Sequence, residues 1–180
     1  MATALDERAG LQGGTLMHEL YNTLQGLMLG LHELLEDPRL GQFDTRERAV
    51  MGRLARFMAP HYDGWDIDTD HERRGDDPKY LDILPNGQAG QKPIIPDIIV
   101  HKLGVKDNLL VVELKLSDNH DIALDLWKLT HMTRQNGLYE YAVGAHVILN
   151  LEQQTVAQSI IFVDGAPHPE LTDWFRRHFD

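Results

Sequence analysis

Cysteine is absent from the 180 residues. That absence excludes a disulfide framework, thiolate metal sites and thiol catalysis. No stretch is long and apolar enough to read as a bilayer span, so no membrane partner is expected. The first residues carry Asp6 and Glu7 and lack a basic start followed by an apolar run. A secretory leader is therefore not expected, and the cytoplasm is the expected location. Serine is scarce and no Gly-x-Ser-x-Gly word occurs, which leaves a serine hydrolase without support. The glycines form no phosphate-binding loop. The ten histidines form neither a His-Glu-x-x-His word nor a close pair, so a zinc site is not indicated.

Basic charge is also in short supply. The formal net charge is −11, which argues against a generic nucleic-acid binder. The deficit is uneven, however. Residues 1–44 hold 2 basic and 7 acidic side chains, residues 45–115 hold 11 and 12, and residues 116–180 hold 4 and 9. The middle segment can therefore carry a locally positive surface on an acidic molecule.

What is present reads as one α/β domain with an N-terminal addition. Residues 1–13 read as a tail. Leu20, Leu24, Leu27, Leu31 and Leu34 then recur at steps of four and three, the seam of a helix over 16–35. This segment, residues 1–43, is expected either to pack on its own domain or to supply a homodimer contact. Asp44-Thr45-Arg46-Glu47 reads as a capping box that opens a second helix, with Val50, Leu54 and Phe57 on its buried face. Residues 65–70 alternate as a strand, and residues 74–92 read as a polar loop. Two apolar strands (94–100 and 108–116), a helix (121–133), two further strands (139–151 and 156–163) and a terminal helix (170–179) follow. The order predicts a mixed β-sheet with a hairpin, a crossover helix after the third strand, and helices on its faces over residues 44–180.

The chemistry gathers on the hairpin. Asp97 lies in Ile94-Ile95-Pro96-Asp97-Ile98-Ile99-Val100, and Glu113 follows the continuous apolar run Leu109–Val112. Carboxylates inside such runs are costly unless they are paired or bind a metal. Lys115, two residues after Glu113, leaves the strand from the same face. Two acids and a lysine on one face suit a hard divalent cation, Mg²⁺ or Mn²⁺, with a water beside it. Asp66-Ile67-Asp68-Thr69-Asp70 does not complete a calcium loop, because His71 and Asp77 stand where glycine and glutamate are needed.

Pro96-Asp97, then fifteen residues, then Glu113-Leu114-Lys115 resembles the PD-(D/E)XK motif of the restriction-endonuclease-like nuclease superfamily. Arg46-Glu47-Arg48-Ala49 and Asp125-Leu126-Trp127-Lys128-Leu129-Thr130 resemble words found in small bacterial members. The resemblance covers about residues 44–165. It implies that superfamily's fold and a Mg²⁺- or Mn²⁺-dependent phosphodiesterase acting on nucleic acid, with DNA favoured. It implies catalytic roles for Asp97, Glu113 and Lys115, with Asp97 and Glu113 as metal ligands. A glutamate from the preceding helix corresponds to Glu47, and a polar residue from the following helix to Lys128.

Each assignment has a plainer counterpart. Glu47 completes a capping box, and Lys128 sits three residues from Asp125 on one helix face. Asp70 is a candidate accessory acid. Arg73, Arg74, Lys79, Lys92 and Lys102 are candidates for contacts to a nucleic-acid backbone, and His71 and His101 for contacts to phosphate. The alternative function is a catalytically silent nuclease-fold subunit that serves binding or assembly.

Overall fold

A computed structural model describes residues 4–40, 46–70, 73–74, 77–117 and 122–179, with side chains described for 15–40, 46–70, 79–117 and 122–179. The elements are α1 (Ala4–Leu35), α2 (Glu47–Met58) with a short 3-10 turn at Ala59–His61, β1 (Asp66–Thr69), β2 (Arg73–Arg74), β3 (Asp77–Pro78), β4 (Tyr80–Ile83), β5 (Ala89–Pro93), β6 (Ile98–Lys102), β7 (Asp107–Leu116), α3 (Ala123–Thr133), β8 (Val143–Asn150), β9 (Thr155–Val163), β10 (Ala166–Pro167) and α4 (Pro169–Arg176). The fold is mixed α/β. Six strands form one sheet in the order β1-β6-β7-β8-β9-β10. Every pairing in it is antiparallel except β7 with β8. That parallel pair requires a crossover, which α3 supplies.

Period-two alternation along β7 sorts its side chains. Leu110, Val112 and Leu114 join the large core made with α1, α2 and α4. Val111 faces the other way, into a smaller core with Leu129 and Met132 of α3. Both faces of β7 are therefore covered, which is why its sequence is a near-continuous apolar run. The leucine seam of α1 lies in the large core: Leu24, Leu27, Leu31 and Leu34 are each 0% exposed. Gly30 permits the close approach of α1 to α2, since a Cβ there would lie 2.7 Å from Met58 Cγ.

The structure corrects several expectations. The tail expected over 1–13 is helical from Ala4 onward. The first helical residue of α2 is Glu47 and its N-cap is Arg46, which makes no side-chain cap bond. Arg46 therefore stands at the N-cap position expected for Asp44, which itself lies outside the described residues. The loop expected over 74–92 contains the β4–β5 hairpin. The Asn86-Gly87 pair makes its turn: Gly87 has φ +82°, and Leu84 N–H donates to the Gln88 carbonyl at 2.8 Å. The strand expected from Ile94 begins at Ile98, because Pro96 removes a ladder donor just before it. The strand expected from Tyr139 begins at Val143. Among the described residues, no helix is long and apolar enough to cross a membrane.

Candidate functional site

The site forms where β6 and β7 part. Their ladder starts at Ile98↔Val112, while β7 runs on to Leu116 alongside β8. Residues 113–116 therefore have a strand neighbour on one side only. Asp97, immediately before β6, occupies the vacant side. Its Oδ2 accepts the Leu114 N–H at 2.7 Å, so a side chain continues the ladder.

Glu113 and Lys115 leave β7 from the face covered by α3. Glu113 is 0% exposed. Its Oε2 accepts from Lys128 Nζ, and its Oε1 is buried with no hydrogen-bond partner. Lys128 also lies 3.2 Å from Asp125 Oδ1 and donates to the Ile95 carbonyl at 3.4 Å. Lys115 Nζ bridges Glu47 Oε1 and Asp125 Oδ2, each at 3.3 Å. Glu47 reaches it from the first residue of α2.

These groups perturb one another strongly. Burial pushes the Asp97 carboxyl up to about 6, against the Leu114 N–H and the two lysines, which favour its ionised form. Burial drives Glu113 well above the usual carboxylate range, with the Asp97 charge adding to it. Burial alone would lower both amines. For Lys115 the carboxylates of Asp125, Glu47 and Asp97 outweigh it and raise the amine. For Lys128 those of Glu113, Asp125 and Asp97 do the same. Both lysines are therefore firmly cationic, as ammonium groups close to anions should be.

Sequence reading brought Asp97, Glu113, Lys115, Glu47 and Lys128 to one place, and the structure holds them together. It treated Asp125 only as the surface partner of Lys128. Asp125 is instead buried and clamps both amines. His146 was missed. It pairs in register with Glu113, is 0% exposed, and has no hydrogen-bond partner on either ring nitrogen. Its Nε2 lies 3.9 Å from Asp125 Oδ2. Burial, helped by the two lysines, lowers its pKa. Its signal was legible: a polar residue in the apolar run Val143–Leu149, the feature that singled out Glu113.

The other candidates are placed differently. Asp70 pairs with Arg48 at 2.7 Å, and only its backbone adjoins the site, donating to the Asp97 carbonyl at 3.1 Å. Lys102 pairs with Asp107 at 3.0 Å and lies over the Trp65 ring. Lys92 lies near Trp127. Lys79 is 4% exposed, which removes it as a backbone-contacting residue. Burial, against the pull of Asp68, lowers its amine to about 8. His101 bonds Asp68 at 3.0 Å, four residues up the strand from Asp97. The side chains of Arg73 and Arg74, and that of His71, lie outside the described residues.

Fold and site together define a mixed α/β protein with a buried cluster of acids and amines at the end of a central strand. Compared with known proteins, the chain matches no family model, no curated protein and no solved structure.

Proposed function

We propose that this protein is a metal-dependent nuclease with a restriction-endonuclease-like fold, hydrolysing phosphodiester bonds of nucleic acid, DNA before RNA. The observation that carries this reading is the meeting of Asp97, Glu113 and Lys115 where β6 and β7 diverge. The donor set suits a hard divalent cation: carboxylate oxygens, with Glu113 Oε1 buried and lacking a partner. Among the described residues no three His, Asp or Glu side chains are already set to hold an ion. The fit therefore rests on two carboxylates, completed by a main-chain carbonyl and substrate oxygen. With all four acids ionised, Asp97, Glu113, Asp125 and Glu47 exceed Lys115 and Lys128 by two negative charges, which Mg²⁺ or Mn²⁺ would cancel; burial, which raises the proton affinity of Asp97 and Glu113 while no ion is bound, makes that compensation matter more.

Such an ion, held by Asp97 and Glu113, supplies Lewis-acid stabilisation of the phosphate and a more acidic water. Lys115, its ammonium fixed by Glu47 and Asp125, orients the attacking water or donates to the charge that develops on the phosphoryl oxygens. Glu47 holds Lys115 in place and is itself half-buried, within reach of water.

The test is incubation with duplex, single-stranded and branched DNA in Mg²⁺ or Mn²⁺. Cleavage should require the metal and fall by about 100-fold or more in Lys115→Ala. Undiminished cleavage by that variant rejects the role given to Lys115. The silent binding or assembly subunit is favoured by the net charge of −11, which opposes a polyanion. Metal binding without cleavage of any substrate would decide for it.

A further inference from the structure

The acceptors around Lys128 are the Glu113 carboxylate, Asp125 Oδ1 and the Ile95 main-chain carbonyl. Two carboxylates and a peptide carbonyl satisfy an ammonium, which has three donors. They are also the oxygen types that a hard divalent cation selects. The amine is buried at 7% exposure and lies on the same Glu113 carboxylate that the nuclease reading assigns to the metal. A divalent ion on the unpartnered Oε1 would face the Lys128 ammonium on Oε2 of the same carboxylate, and in a poorly solvated site the two cations repel. Asp125 offers the amine somewhere else to go, since it already touches Lys128 through one oxygen and Lys115 through the other.

We propose that Lys128 is a tethered cation that occupies Glu113 when no divalent ion is present and that metal binding displaces it onto Asp125. The inference rests on the reading of Asp97 and Glu113 as metal ligands and adds a regulation of that site. In the metal-free chain the ammonium holds Glu113 Oε2. Metal must then compete with an internal cation, which weakens metal affinity and makes occupancy responsive to divalent-ion concentration. Asp125 is a positioning residue here, because it acts through the two lysines.

Binding of Mn²⁺ to the full chain, followed by calorimetry and by loss of the free-ion spin-resonance signal, tests this without any nucleic acid. Lys128→Met removes the competing charge at similar length. It should bind Mn²⁺ about tenfold more tightly or better. Equal or weaker binding by Lys128→Met, with the wild type binding normally, overturns the tethered cation and leaves the metal site standing. Absence of Mn²⁺ binding in both proteins overturns the two readings together. Removing the amine strips Glu113 of its partner, so the variant could lose its fold. Asp125→Asn then carries the test with the amine left in place: it removes the charged acceptor that receives the displaced Lys128, so Mn²⁺ should bind several-fold more weakly than to the wild type. Mn²⁺ binding equal to or tighter than that of the wild type rejects the displacement.

Discussion

Asp97 does two things that pull against each other. It completes the β7 ladder as an acceptor for Leu114 N–H, which favours its charged form. It is also buried, which disfavours that form, and burial wins, holding the carboxyl near 6 rather than at its ordinary 3.8. The sign of the pH effect follows. As pH rises from 4 to 6, the unfolded chain releases this proton before the folded chain does. Asp97 therefore stabilises the fold below pH 4 relative to neutrality, and that contribution is lost as pH rises through 6. A shift of this size corresponds to about 3 kcal/mol. In urea unfolding with chelator present, Asp97→Asn should gain on the wild type by up to that amount between pH 4 and pH 7. A difference between the two proteins that stays constant over that range rejects the assignment. At this scale the sequence was informative where a charge interrupts an apolar run, as at Asp97 and Glu113. It was silent on Asp125, whose i,i+3 spacing to Lys128 fits a solvent-exposed helix face equally well. Only the packing of α3 over β7 and β8 decides that both are buried.

Elements raise the question of why the leucine-seamed part of α1 contains Gly26 and Gly30, each of which weakens a helix by about 1 kcal/mol relative to alanine. At Gly30 the answer is contact with backbone: an added Cβ would sit 2.7 Å from Met58 Cγ, 3.1 Å from its N and 3.2 Å from its Cα. Met58 ends α2 and cannot yield without moving that helix. Overpacking of this kind costs about 1–3 kcal/mol, more than the helical gain. Gly52 in α2 is the control, with nothing within 4 Å of an added Cβ. Gly52→Ala should raise stability by up to about 1 kcal/mol, and Gly30→Ala should lower it. Thermal or urea unfolding of the two variants checks the contrast, and matching shifts in the same direction would contradict the packing described. Helix-to-helix distance is a tertiary fact, so the sequence alone shows Gly30 only as a weak helix former. It marked β7 well, since a strand covered on both faces must be apolar throughout. It missed the β4–β5 hairpin, although Asn86-Gly87 is a strong turn word. The flanking strands are short and β5 (Ala-Gly-Gln-Lys-Pro) has no apolar alternation, so pairing rather than hydrophobic pattern defines the hairpin.

For the molecule as a whole, the question is whether α1 is an appendage or part of the fold. Its leucine seam suits either a partner helix or the chain's own core, and periodicity cannot separate the two. The structure places the seam inside. Leu27, Leu31 and Leu34 lie in one core with Val50, Leu54, Val112 and Phe175. The helix is also fastened at its far end, where Gln154 Nε2 donates to the Leu35 carbonyl at 2.8 Å and His32 stacks on Phe179. At the Tyr21 end, the phenol donates to Glu170 at 3.2 Å. Truncating one of these leucines should cost about 2–5 kcal/mol, a large share of the 5–15 kcal/mol (roughly) that domains of this kind possess. Leu31→Ala is accordingly expected to lower the unfolding midpoint sharply, and a chain starting at Arg46 should show no cooperative transition. The consequence reaches the site, because α1 backs α2 and α2 carries Glu47 to Lys115. A partly destabilised variant such as Leu31→Ala should therefore lose the proposed cleavage activity in step with its folded fraction. A shortened chain that unfolds cooperatively and keeps its metal affinity would show instead that the sheet and α2 stand without α1.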